Sequence, residues 1–149
     1  HKTNNLLPEV SAHGYNSIAV ALDFSQHDHK ILSYAVGQGN IDTHYVLIHV
    51  VESATAKLRG TDSDDHETNR DIAQLQSYAE QLTNKGFKAS AEIGYRSRVK
   101  EIVRIVNENN TELLVMGAHG HSGIKDILYG ETVNAVRHHV KIPVLVVTL

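Results

Sequence analysis

The feature that most constrains this chain is a regular alternation between short β-branched apolar runs and segments whose apolar residues recur at helical spacing. NSIAVALDF (16–24) is one such run, and it passes into a polar Asp23-Phe24-Ser25 as a buried strand does where it emerges into a loop. Leu32, Ala35 and Val36 follow at helical spacing, and Gly37 and Gly39 close that segment. HYVLIHVV (44–51) reads as the next strand, after which Ile72, Leu75, Ala79 and Leu82 mark a helix that Gly86 ends. FKASAEIGY (87–95) alternates as a third strand does, and Val99, Ile102, Val103 and Val106 mark a third helix. TELLVMG (111–117) is a fourth strand, Val133, Val136 and Val140 belong to a fourth helix, and PVLVVTL (143–149) is a last strand. Five strands separated by four helices predict an α/β fold with a doubly wound parallel sheet, because each right-handed crossover lays its helix on the sheet.

Ahead of this pattern, HKTNNLLPEVSAHGY (1–15) has no period and reads as an N-terminal tail or linker to a domain at 16–149. A chain of 149 residues buries enough surface to hold a core without disulfides or structural metal. It has no Cys, which excludes CxxC redox chemistry, thiolate zinc sites and a cysteine nucleophile. No apolar run approaches the roughly 18 residues that span a bilayer, and no basic start leads into a signal-peptide core. A cytoplasmic domain that does not insert into membrane is the expectation. With 14 Lys+Arg against 17 Asp+Glu the net charge is −3, which argues against a nucleic-acid binder with a basic face. The charge is uneven: residues 1–95 carry 7 basic and 12 acidic side chains and residues 96–149 carry 7 and 5, so an anion prefers the C-terminal third.

TDSDDHETNR (61–70) holds four acids between Asp62 and Glu67, without the turn glycine and terminal Glu of a calcium loop. It reads as a solvated loop, its acids at the start of helix two, with no part in ligand binding. Eleven His invite a metal, notably His27 with His29, His119 with His121, and His138-His139. Neither HExxH nor a Cys/His framework is present, so no dedicated protein metal site is expected.

In open α/β sheets ligands bind beyond the carboxyl ends of the strands, where strand order reverses. The first strand ends at Asp23, and the fourth runs into MGAHGHSGIKDILYGETV (116–133), with glycines at 117, 120, 123 and 130. Glycines at a strand-to-helix turn let backbone approach a ligand, and a helix start offers unpaired N–H groups suited to phosphate. Neither a P-loop nor a GxGxxG fingerprint can be read there. From periodicity alone, a phosphate site and a ligand-free tight turn both remain open.

Taken together, these features resemble the universal stress protein family, in its nucleotide-binding type, over nearly all of residues 16–149. Gly117 and Gly120, nine residues from His121 to Tyr129, then Gly130, match that family's loop after strand four, and Pro143-Val144-Leu145-Val146-Val147 matches its last strand. Asp23-Phe24-Ser25 and His49-Val50-Val51-Glu52 also look like the family's. The resemblance implies a Rossmann-like sheet of order 3-2-1-4-5, a sensor or regulatory domain that binds ATP or AMP, and a homodimer joined along the last strand. Residue by residue, it implies that Ala21, Leu22, Asp23 and Val50 hold adenine and ribose. It implies likewise that Met116, Gly117, Ala118, His119, Gly120, His121, Ser122 and Gly123 wrap sugar and phosphates, and that Gly130, Glu131, Thr132 and Val133 cap the phosphate tail. Asp23 has independent support, since a carboxylate at a strand end accepts well from ribose hydroxyls. His119 and His121 suit anionic oxygens when protonated.

One departure bears on the ligand: the family pattern has Ser or Thr where this chain has Glu131. A carboxylate beside a terminal phosphate is costly, so AMP, or ATP with Mg²⁺ or Mn²⁺ between the charges, are the two outcomes left open. Ser25 and Ser122 lie in no GxSxG elbow and Lys125 is not at P-loop spacing, so slow ATP hydrolysis is the most an enzyme reading supports. The alternative class is a cytosolic interaction domain tethered to a transporter, a form in which the family also occurs.

Overall fold

The computed structural model describes residues 6–10, 14–52, 62–118 and 130–149, with backbone alone over 62–65. Its elements run in strict alternation: β1 (Ser17–Ala21), α1 (Asp28–Gly37), β2 (His44–Val51), α2 (Asp62–Asn84), β3 (Lys88–Tyr95), α3 (Arg98–Glu108), β4 (Leu113–Gly117), α4 (Glu131–His139) and β5 (Val144–Val147). The five strands are all parallel and lie in the order β3-β2-β1-β4-β5. This is the doubly wound, Rossmann-like architecture expected from the alternation and the family resemblance.

Side chains of the central strands point alternately to two faces, and each face meets its own pair of helices. Ile18, Val20, Tyr45, Leu47, Leu113 and Val115 pack on Ile31 and Ala35 of α1 and on Leu75, Ala79 and Leu82 of α2. Ala19, Val46, Ile48, Leu114 and Met116 pack on Ile102, Ile105 and Val106 of α3 and on Val133 and Val136 of α4. Both sheet faces are therefore covered, which is why β1, β2 and β4 read as near-continuous apolar runs.

Local signals end the helices where expected. Gly86, at φ +94, carries the chain out of α2 while the Phe87 N–H returns to the Leu82 carbonyl at 3.0 Å, a glycine C-cap. Ser97 caps α3, its hydroxyl accepting the Lys100 N–H at 3.4 Å.

Leu32, Ala35 and Val36 fall on α1 as expected, Ala35 buried and Leu32 and Val36 half-buried against the same core, with Asp28 and Ile31 completing the buried face. One expectation is corrected. The acidic stretch from Asp62 is not a loop: its backbone is already helical, as a run of acids at the positive end of the helix dipole permits.

Candidate functional site

Strand order reverses between β1 and β4, and the cleft beyond their carboxyl ends has a volume of about 660 Å³. That size suits a small-molecule ligand. Three kinds of unsatisfied polar group converge on it.

The first comes from the register of β2. Ile48 faces β1, since its carbonyl accepts the Leu22 N–H at 2.8 Å, and Val51 faces β3, since its carbonyl accepts the Arg96 N–H at 2.8 Å. Val50 must then face the β1 side, but β1 pairs no further than Ala21 with Ile48. Its N–H and C=O reach the cleft with no backbone partner among the described residues, an adjacent donor and acceptor on one strand edge.

The second is the turn after β1. Asp23 Oδ1 accepts the Ser25 N–H at 3.0 Å, and the Ser25 hydroxyl accepts the His27 N–H at 3.2 Å, so the turn is closed by its own side chains. Oδ2 of Asp23 is left as an acceptor for a ligand. Phe24 sits at φ +62, a left-handed conformation that costs a residue with a Cβ about 1–2 kcal/mol. Its ring is held by stacking on His49, centroids 3.8 Å apart, and edge-on by Tyr78 at 5.9 Å. His49 Nδ1 lies 2.9 Å from the Leu22 carbonyl, which can only accept, so Nδ1 carries a hydrogen and Nε2 faces Asp71 Oδ2 at 3.6 Å.

The third is the start of α4. Gly130 is its N-cap and has no side chain to cap it, and its N–H donates to the Ala118 carbonyl at 3.2 Å, drawing the end of β4 and the start of α4 together. The N–H groups of Glu131, Thr132 and Val133 have no partner among the described residues, and all three residues line the cleft.

Of the residues singled out in the sequence, Ala21, Leu22, Asp23, Val50, Met116, Gly117, Ala118, Gly130, Glu131, Thr132 and Val133 line this one cleft. His119, Gly120, His121, Ser122 and Gly123 lie outside the described residues. Gly117 has a packing reason as well: a Cβ there would stand 2.8 Å from Ile31 Cδ1 and 3.1 Å from Leu149 Cδ1.

Sequence reasoning missed a second wall, formed by His49, Glu52, Glu67, Asp71 and Arg98. Glu52 and Arg98 are joined by a 2.8 Å ion pair at the ends of β2 and α3. Glu67 and Asp71 stand one turn apart on α2, the i,i+4 spacing that could have flagged a shared face. Glu67, at the end of the acidic stretch from Asp62, therefore borders the cleft. The cleft as a whole is largely negative, lined by the carboxylates of Asp23, Glu52, Glu67, Asp71 and Glu131 against the guanidinium of Arg98 among the described residues.

Just behind Asp23 lies Asp28, 2% exposed at the first turn of α1. Its Oδ1 accepts the Asp23 N–H at 3.3 Å, and its Oδ2 has no hydrogen-bond partner among the described residues. Burial, followed by the negative Asp23 carboxyl beside it, pushes the Asp28 carboxyl up to about 7. Burial likewise pushes the neighbouring Tyr78 hydroxyl up, with Asp28 and Asp23 adding to the rise.

Fold and cleft together define a Rossmann-like α/β domain with an open site at its topological switch point. The chain belongs to the universal stress protein family, which it matches over residues 14–148. Universal stress protein Slr1230 of Synechocystis is 40% identical over 81 residues, covering 52% of this chain and 28% of that protein. The chain thus spans little more than a quarter of that relative's length where they match. Universal stress protein MJ0577 of Methanocaldococcus jannaschii is 24% identical over 89% of this chain and 94% of its own. The MJ0577 structure superposes with a TM-score of 0.81, covering 92% of this chain and 98% of that one. An Archaeoglobus fulgidus universal stress protein solved in complex with dAMP has a TM-score of 0.64 at 18% identity, covering 90% of this chain and 98% of its own. Another universal stress protein, solved in complex with cAMP, has a TM-score of 0.65 at 19% identity, covering 91% of this chain and 98% of its own.

Proposed function

We propose that this domain binds an adenine nucleotide in the switch-point cleft and acts as a sensor or regulatory domain. The observation that carries this reading is the orphaned N–H and C=O of Val50, set in one cleft with the Asp23 carboxylate and the uncapped start of α4. An adjacent backbone donor and acceptor match the N1 acceptor and N6 amino donor on the adenine edge. Guanine places a donor and an acceptor there in the opposite order. Asp23 Oδ2 takes the ribose hydroxyls, and the N–H groups of Glu131, Thr132 and Val133 take phosphate oxygens. That related folds have been solved with dAMP and cAMP supports the same ligand class.

The acidic wall favours a ligand of low charge such as AMP, or ATP with a divalent cation between its phosphates and Glu131. Binding rather than turnover is the reading because neither a GxSxG nucleophile elbow nor a P-loop lysine can be read in the sequence. No helix among the described residues is long and apolar enough to cross a membrane. A homodimer along β5 completes the proposal, for the reason tested below.

The test is mass spectrometry of whatever nucleotide co-purifies, followed by calorimetry with AMP and ATP, with and without Mg²⁺. Adenine nucleotides should bind and guanine nucleotides should not, and Asp23→Ala should weaken binding by about tenfold or more, the loss of charge-assisted hydrogen bonds. Absence of binding by AMP and ATP at millimolar concentration would overturn the reading.

A further inference from the structure

Asp28 is the most unusual polar group among the described residues: a carboxyl almost wholly buried, one oxygen accepting from the Asp23 backbone and the other without a partner. The Asp23 and Phe24 N–H groups favour the ionised carboxylate, but burial and the Asp23 carboxyl outweigh them, and an ionised Oδ2 would sit buried without a well-formed hydrogen bond. A protonated carboxyl needs only a weak acceptor or none, and keeps Oδ1 on the Asp23 N–H. The groups around it do not supply a compensating cation. From the β1–α1 turn it meets Asp23, also an acid, and from α2 it meets the Tyr78 hydroxyl. His49 of β2 and Asp71 of α2 are paired with each other, and the Phe24 ring stacks on His49. On its own helix, His29 and Lys30 are exposed, Lys30 donating to the Thr148 carbonyl at 2.7 Å. His27, its neighbour in the turn, has its N–H on Ser25. β4 (LLVMG) and β5 (VLVV) bring no charged side chain.

We propose that Asp28 is a positioning residue for the ligand-binding turn and makes nucleotide affinity proton-linked: with a proton on Oδ2 it holds Asp23 in place for the ligand, and on losing that proton it loosens the turn and weakens binding. This rests on the nucleotide reading of the cleft. Two effects set the sign. A bound nucleotide covers the turn and removes more water from Asp28, and its phosphate brings negative charge into the same cleft. Both favour the protonated carboxyl, so binding takes up a proton and affinity falls as pH rises. The burial-raised value near 7 places the change within the physiological range. Such a domain would report nucleotide and proton concentration together.

The experiment is calorimetry of AMP on the full chain from pH 5.5 to 8.5, for the wild type, Asp28→Asn and Asp28→Ala. Asn keeps the Oδ1 acceptor and cannot ionise, so Asp28→Asn should show the low-pH affinity and hold it to high pH. Wild-type affinity should fall about tenfold relative to Asp28→Asn across the range, the effect of a one-unit difference in the Asp28 titration between free and bound protein. Asp28→Ala should bind weakly at every pH, because the Asp23 N–H loses its acceptor. The AMP phosphate and every other titrating group are common to all three proteins and drop out of the comparison. Carbon-13 NMR of the wild-type Asp28 carboxyl gives its titration directly, without depending on any variant. Parallel pH profiles for wild type and Asp28→Asn, or a carboxyl already ionised at pH 6, would overturn the proton linkage while leaving nucleotide binding intact. No AMP binding at any pH would overturn both.

Discussion

The ring of Phe24 lies flat on the ring of His49, centroids 3.8 Å apart and planes 21° from parallel, and so holds a left-handed residue at the mouth of the cleft. Strain at such a position persists only where neighbours over-determine it, and here a stack, an edge-on Tyr78 and the Asp23–Ser25 hydrogen bond do so together. Phe24→Ala removes the stack but keeps the strain, and should cost about 2–3 kcal/mol of stability. Phe24→Gly removes both and should be more stable than Phe24→Ala by about 1 kcal/mol. Urea unfolding of the two variants reads this difference.

Gly117 and Ile31 form a size-matched pair, since a Cβ on Gly117 would meet Ile31 Cδ1 at 2.8 Å. Gly117→Ala should destabilise by about 1–3 kcal/mol through overpacking. Ile31→Val deletes that Cδ1 and should recover at least about 1 kcal/mol when combined with Gly117→Ala, although it is destabilising alone. A double-mutant cycle in denaturant checks it, and additive costs would show that Leu149, 3.1 Å away, sets the limit instead.

Asp28 should also make the ligand-free protein less stable as pH rises. Its folded value of about 7 stands above its ordinary value of 3.8, so between those limits the folded state binds the proton and the unfolded state does not. Stability from this group is full below about 4 and is lost progressively up to about 7. Asp28→Asn should therefore gain on the wild type with rising pH, by on the order of a few kcal/mol at pH 8. Thermal melts from pH 4 to 8 would show the two curves separating, and curves that stay parallel would count against a buried titration.

Glu131 stands in the first turn of α4, where the proposed phosphates lie. Glu131→Ser should tighten ATP more than AMP, by about tenfold at low ionic strength. Charge repulsion is the only effect involved, so the gain should shrink in high salt and be masked by Mg²⁺ or Mn²⁺. Equal gains for both nucleotides would place the carboxylate away from the last phosphate.

β5 is an edge strand whose Pro143 and Val147 carbonyls point to β4, which turns the backbone of Val144 and Val146 to the open side. An apolar strand with free outward groups is a pairing surface, and a second copy about a twofold axis closes it most simply. Sedimentation should show a dimer at tens of micromolar. Val146→Pro removes an outward donor without touching the ladder to β4, and should give a folded monomer.

Much of this architecture was legible in the chain. The runs at 16–24 and 44–51 are apolar without alternation, which only strands covered on both faces can sustain, and Gly86 marked the end of α2 by the left-handed turn it makes. Asp23 could be placed at a strand end from periodicity, and Gly130 at a helix start from the family's loop pattern. The second wall could not. Glu67, Asp71 and Arg98 read as ordinary surface charge, because nothing local says which turn of a helix will overhang the end of a neighbouring strand. Asp28 is the clearest case, for next to His27 and His29 it looks like a solvated helix start.

What the sequence by itself determined is the set of elements, their parallel pairing and the end of the sheet where a ligand can enter, since periodicity and the handedness of crossovers are local properties. Only the tertiary structure decided which groups go unsatisfied there. Val50 loses its partner because β1 stops two residues short of it in register, and Asp28 loses its water because α1 packs its first turn against the sheet. Hydrogen-bond register and burial are set by where one strand or helix ends against another, and no single segment of the chain carries that information.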